Sequence, residues 1–157
     1  MVNADEVREV LDGALVSVLS YDDGSGGVSS HPMLPLYNPE NKKLYFTSSI
    51  LFSRKIQKIK RNPKVSVIFT GRNFIRASKY HVVLVRGDAK IYEEDLHEGW
   101  EWLLSLWRKK EPYIDAFLKQ RIALPLFWER AVIEVTPAET LVWEGGDTSR
   151  EPVKVML

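Results

Sequence analysis

The stretch Lys43-Leu44-Tyr45-Phe46-Thr47-Ser48, followed by Ser53-Arg54-Lys55-Ile56-Gln57-Lys58-Ile59-Lys60-Arg61 and by Asn62-Pro63-Lys64-Val65-Ser66-Val67-Ile68-Phe69-Thr70, reads as strand, helix, strand. The helix carries Ile56 and Ile59 on one side and cations around the rest, and Ser53 is placed to cap it. Asn62-Pro63 stops it, because proline disfavours helix in the residue before it and has no N–H to continue the ladder. A strand ending in small hydroxyl residues and running into a Ser-capped basic helix offers one phosphate its hydroxyls, free backbone N–H groups and two cationic side chains. Arg54 and Lys55 stand in the first turn, where the helix dipole disfavours cations unless an anion offsets them. The ordinary alternative is a solvated basic face.

Outward from this stretch, residues 4–12 read as a short helix with Val7, Val10 and Leu11 at helical spacing and Gly13 as its stop. Ala14–Tyr21 and Val28–Tyr37 flank the turn-rich Asp22-Asp23-Gly24-Ser25-Gly26-Gly27 and form a hairpin. Asn38-Pro39-Glu40-Asn41 turns the chain again. Further strands are expected at Tyr80–Tyr92, Ala131–Thr136 and Leu141–Trp143. Two more helices are expected, one from Asp95 to Lys110 with Leu96, Trp100, Leu103, Leu104 and Trp107 on one face, and one from Pro112 to about Ile122. Trp102 falls off that face, which hints at a subunit contact. Six or so short strands, with helices inserted rather than alternating, predict a mainly β fold: one antiparallel barrel domain over residues 1–157 with a helical insertion at about 95–123.

Charge distribution says more than net charge, which is +1. From Asn41 to Gly87 there are twelve of the 22 Lys and Arg and none of the 21 acidic residues, so one region should attract anions. Nucleic acid is not the expected anion, because Tyr45, Phe46, Phe69 and Phe74 sit mostly on strands, where core packing claims them. With no cysteine, disulfides, thiolate metal sites and a cysteine nucleophile are excluded. The histidines His31, His81 and His97 lack metal-ligand spacing, and no nucleophile elbow is present, so no metal is called for and no catalytic side chain can be named. Gly24-Ser25-Gly26-Gly27 precedes an extended segment, which rules out a nucleotide-binding loop. No run of eighteen apolar residues occurs, and the chain is expected to be untargeted, cytoplasmic and without membrane contact. If it is an enzyme, a bound cofactor should carry the chemistry.

Tyr45-Phe46-Thr47-Ser48, Ser53-Arg54-Lys55-Ile56 and Asn62-Pro63-Lys64-Val65-Ser66 together resemble the signature of the pyridoxamine 5′-phosphate oxidase-related flavoproteins, the FMN-binding split barrels. The resemblance extends in element order over residues 4–144. It implies a six-stranded antiparallel Greek-key split β-barrel, homodimeric, with FMN in two grooves at the interface. It further implies that Thr47, Ser48, Arg54 and Lys55 hold the FMN phosphate, with Ser53 among the cofactor-binding residues, and that Tyr45 and Phe46 lie along the flavin groove. His31-Pro32-Met33-Leu34-Pro35-Leu36 stands in register with the family's flavin-facing strand, so His31, Met33, Leu34 and Pro35 join the expected cofactor-binding set.

Departures narrow the expected activity. The basic ends of the family's flavin-facing motif are missing, Val82 stands near the place of an expected glutamine, and the C-terminal Arg-x-His substrate motif has no counterpart. The expectation is therefore an FMN-dependent oxidoreductase using NAD(P)H or another small molecule, not a pyridoxamine phosphate oxidase proper. The alternatives on the same fold are a deazaflavin (F420) protein, a haem protein with His31 or His97 as ligand, and a non-catalytic flavin sensor.

Overall fold

The computed structural model describes residues 1–71 and 79–157. Phe74 of the sequence reading lies outside the described residues, as do Arg72 and Arg76, two of the twelve cations counted between Asn41 and Gly87. In chain order the elements are α1 (Ala4–Gly13), β1 (Ser17–Asp22), β2 (Val28–Met33), β3 (Leu36–Asn38), β4 (Lys43–Ser49) and α2 (Ser53–Arg61). Then come β5 (Lys64–Phe69), β6 (His81–Tyr92), α3 (Leu104–Lys110), α4 (Ile114–Leu118), β7 (Arg130–Glu144) and β8 (Val153–Lys154).

The strands pair in the order β2-β1-β5-β6-β7-β4-β3, all antiparallel, with β8 added to β7. The two ends of that path, β2 and β3, are joined by Leu34 and Pro35 alone. Laid flat, seven strands would hold their outer members about 29 Å apart, whereas three Cα steps span about 11 Å at most. The sheet must therefore curl until its edges face each other. It closes into a half-barrel whose seam lies between β2 and β3, the architecture expected of a split barrel.

Inside, Leu19, Leu44, Phe46, Val67, Val83, Val85 and Ile133 are fully buried together with Val7, Val10 and Leu11 of α1 and Ile59 of α2. Outside, a second buried cluster joins Leu36, Tyr45 and Val132 of the sheet to Trp100, Leu103, Trp107, Ile114 and Trp128. The 95–128 segment thus covers the outer face of β3, β4 and β7, and β4 is buried on both faces.

Four expectations need correction. Eight strands are present among the described residues rather than six, and residues 131–136 and 141–143 belong to one strand, β7, which continues through a bulge at Pro137-Ala138-Glu139 opposite Arg86 and Gly87. A side chain at Gly87 would run into the Thr136 carbonyl, so this bulge requires glycine there. Residues 95–110 do not form one helix: the Asp95 carboxylate accepts the His97 and Glu98 N–H groups as a turn, and regular helix begins only at Leu104. α4 ends at Leu118, short of Ile122. Finally, Ser53 does not cap α2, since a 3-10 turn over Ile50–Phe52 precedes the helix and Ser49 caps that turn instead, accepting the Leu51 N–H at 3.2 Å.

Candidate functional site

At the seam lies a cavity of about 200 Å³. Pro32, Met33, Leu34 and Leu36 line it from the two edges of the half-barrel, Thr47, Ser48 and Ser49 from the end of β4, Phe52 and Lys55 from the start of α2, and Trp107 and Arg130 from the outer layer. No carboxylate is among them.

Arg130 is the centre of this arrangement. It is 9 % exposed, and the β4–β7 register sets it opposite Ser49. Its Nε donates to Thr47 Oγ1 at 2.9 Å, and its terminal nitrogens donate to the Thr47 and Phe127 carbonyls at 3.2 and 3.0 Å. The guanidinium lies 5.5 Å from the Trp107 ring centre and 4.9 Å from that of Phe127. All its described partners are neutral, so burial pushes its pKa down to about 10. Lys55 is half-buried, reaches Met33 Sδ at 4.0 Å, and is likewise lowered by burial and then by the charge of Arg130. Two cations thus face one cavity with no anion between them among the described residues. The Ser48 hydroxyl, 2 % exposed, has no hydrogen-bond partner among the described residues. A buried hydroxyl without a partner is costly, and so are two desolvated cations lining a cavity that holds no described carboxylate.

The expected site residues divide. Met33, Leu34, Thr47, Ser48 and Lys55 come together around the cavity. Pro35 is buried in the link between β2 and β3. Phe46 belongs to the barrel core, and Tyr45 to the outer cluster, with its hydroxyl held by Asn41 at 2.7 Å and Glu134 at 3.0 Å; neither lines the cavity. Ser53 and Arg54 are exposed beside it. His31 stacks on Tyr21 with ring centres 5.6 Å apart, and its pKa is lowered by burial and by the charges of Lys55 and Lys58. His97 is bound to Glu129 at 2.7 Å. Sequence reasoning missed Arg130, Trp107 and Phe52. Arg130 lies far outside the basic stretch, and only the pairing register brings it to Thr47.

The described structure also holds a larger cavity, about 500 Å³, over Ser20, Ser66 and Arg86. Its cations are already paired, Arg86 with Glu139 at 3.1 Å and Lys64 with Asp88 at 2.6 Å. Chemistry therefore favours the smaller one.

No family model matches the chain, and no curated protein is similar to it in sequence. Solved structures are similar in fold. A Clostridium acetobutylicum protein related to general stress protein 26 of B. subtilis, of the pyridoxinephosphate oxidase family, superposes with TM-score 0.65 at 15% identity, covering 96% of this chain and 91% of that one. General stress protein 26 of Bacillus anthracis gives 0.57 at 19%, covering 96% of each chain. An FAD-binding protein of Mesorhizobium loti gives 0.60 at 18%, covering 88% of this chain and 90% of that one. The chain shares the split-barrel fold of the family its sequence resembles.

Proposed function

We propose that this chain is an FMN-binding flavoprotein, with the flavin's terminal phosphate held by Arg130, Lys55 and Ser48. The observation that carries the reading is the pair of desolvated cations converging, without a carboxylate, on a cavity at the barrel seam. A fold shared with pyridoxinephosphate oxidase-family and FAD-binding proteins supports it.

Charge selects among flavins. Two cations match a phosphate monoester, which carries close to two negative charges at neutral pH, whereas the phosphodiester of a deazaflavin cofactor brings one. Size agrees, since about 200 Å³ falls below the roughly 300–1,000 Å³ of sites that enclose a drug-sized ligand. The cavity suits a phosphorylated tail, leaving the ring system outside it.

A second copy of the chain supplies the remaining wall in this reading. Pro32, Val18, Ile68, Leu84 and Leu141 are register partners across five adjacent strands and belong to neither buried cluster, so they form an apolar row on the outer face of the sheet. Pro32 is also part of the cavity lining, which makes the row continuous with the site. The next row, Ser30-Ser20-Ser66-Arg86-Glu139, carries both signs of charge and can face itself across a two-fold axis.

Bound flavin would supply hydride and electron transfer, and reduced nicotinamide is the proposed donor. The chain's own part is to anchor the phosphate through Arg130, Lys55 and Ser48, and to hold Arg130 in place through Thr47 and the Phe127 carbonyl. Protein purified after expression should be yellow and release FMN, identified by mass; stopped-flow mixing with NADH and NADPH separates an enzyme from a sensor. A colourless protein that takes up no FMN on reconstitution contradicts the proposal.

A further inference from the structure

The guanidinium of Arg130 donates to Thr47 Oγ1, the Thr47 carbonyl and the Phe127 carbonyl, which leaves one N–H on each terminal nitrogen for a ligand in the seam cavity. Its flat faces meet rings, Trp107 at 5.5 Å and Phe127 at 4.9 Å. Where those rings lie therefore helps decide where the remaining N–H groups point.

Trp107 is itself fixed by a charge. It is buried in one cluster with Trp100 and Trp128, yet the three indole N–H groups fare differently. That of Trp100 donates to the neutral Leu96 carbonyl at 3.1 Å, and that of Trp128 has no acceptor among the described residues. Trp107, the one of the three that lines the cavity, donates to the Glu111 carboxylate at 2.6 Å.

Helix stability does not account for that carboxylate. Glu111 is the C-cap of α3, the end at which the helix dipole disfavours an anion. In the last turn Arg108 is taken by Asp115 at 2.9 Å and Lys110 by the Leu11 and Ala14 carbonyls, so only Lys109 is left to offset it. Glu111 is exposed and enters no ion pair among the described residues. A carboxylate on an indole N–H fixes the orientation of the ring and pushes electron density onto it, and a more electron-rich face holds a cation more tightly.

We propose that Glu111 is a positioning residue of the phosphate site, acting through the Trp107 ring to keep the unused N–H groups of Arg130 turned to the seam cavity. Glu111 does not line that cavity, so it acts at one remove. This role rests on the function proposed above, in which the ligand is the FMN phosphate.

The test is calorimetric titration of flavin-free protein with FMN and with riboflavin, in Glu111→Leu, in Glu111→Gln, and in Glu111→Leu combined with Arg130→Met. Glu111→Leu should weaken FMN binding about fivefold, the scale of a partly lost cation–π contact, and leave riboflavin binding unchanged. Glu111→Gln should recover most of that loss, because its amide oxygen still accepts from the indole. In the Arg130→Met background the leucine substitution should change neither affinity, since the group it acts through is gone. The assignment is overturned if Glu111→Leu keeps the full preference for FMN, if it weakens both flavins equally, or if its effect persists without Arg130; the flavin proposal survives each of these results. Equal affinity for the two flavins in the unmodified protein, or no binding of either, overturns both.

Discussion

The two ends of the β4–β7 ladder handle charge in opposite ways. At one end Glu134, opposite Tyr45, accepts from Lys43 at 3.2 Å, from the Tyr45 hydroxyl at 3.0 Å and from the Tyr92 hydroxyl at 3.4 Å. Its charge is answered within the chain. At the other end Arg130, opposite Ser49, has only neutral acceptors among the described residues, and Lys55 shares its cavity with no described carboxylate in the lining. Similar burial thus has two outcomes: a compensated charge fastens the sheet to the layer over it, and an uncompensated one is, in the function proposed above, the anchor of a ligand.

Substitutions at the two ends should separate these roles. Arg130→Met should weaken FMN binding by about 10- to 100-fold, the value of a lost charged hydrogen bond. Its unfolding free energy should hold or rise, since a buried charge is replaced by a well-sized apolar side chain. Glu134→Ala should do the reverse, leaving flavin affinity nearly unchanged and lowering stability by about 1–3 kcal/mol as three donors lose their acceptor. Flavin titration and urea unfolding of both variants check the contrast. If both lose binding equally, the division of labour is wrong.

An intermediate effect is expected at the outer sheet row. Leu84→Glu should convert the proposed dimer to a monomer in sedimentation and reduce flavin retention about tenfold, because the cavity would lose its second wall. Retention unchanged in a monomer would place the whole groove within one chain.

Alkaline pH sharpens the comparison most finely. Arg130, lowered to about 10 by burial on folding, makes the unfolded state bind more protons above that value, so its contribution to stability rises with pH there. Tyr45, raised from 10.0 to about 12 by burial, makes the folded state bind more, and its contribution falls across the same window. Lys110, buried against the Leu11 and Ala14 carbonyls and lowered from 10.5 to about 8, adds a rise between about pH 8 and 10.5. Relative to the unmodified protein, Arg130→Met should therefore lose stability more steeply above pH 10, and Tyr45→Phe less steeply. Thermal unfolding between pH 9 and 11 reads both slopes, and matching slopes would remove the opposition between the two ends.

Features written in local pattern were legible from the sequence. The hairpin at Asp22–Gly27, helix α2 with its Asn62-Pro63 stop, and strands β4, β5 and β6 lie where alternation, helical spacing and turn residues put them. Features decided by tertiary contact were not. Ala131–Thr136 and Leu141–Trp143 read as two strands, yet they are one, because β6 runs alongside both and the residues between them are absorbed as a bulge. Asp95 to Lys110 has helical apolar spacing, but the Asp95 turn and the packing of Trp100, Trp107 and Trp128 against β4 and β7 break it up. Most of the proposed anion site was visible in the same way: Thr47, Ser48 and Lys55 are neighbours in the chain, whereas Arg130 joins them through strand pairing across 83 residues.

The most direct test of the central claim compares FMN with riboflavin, which has the same ring system without the phosphate, in calorimetric titration of flavin-free protein. FMN should bind about 100-fold tighter or more, and that difference should shrink to a few-fold in Arg130→Met. Equal affinity for the two flavins, or a preference for FMN that survives loss of the guanidinium, would contradict the claim that the seam cavity is built around a phosphate.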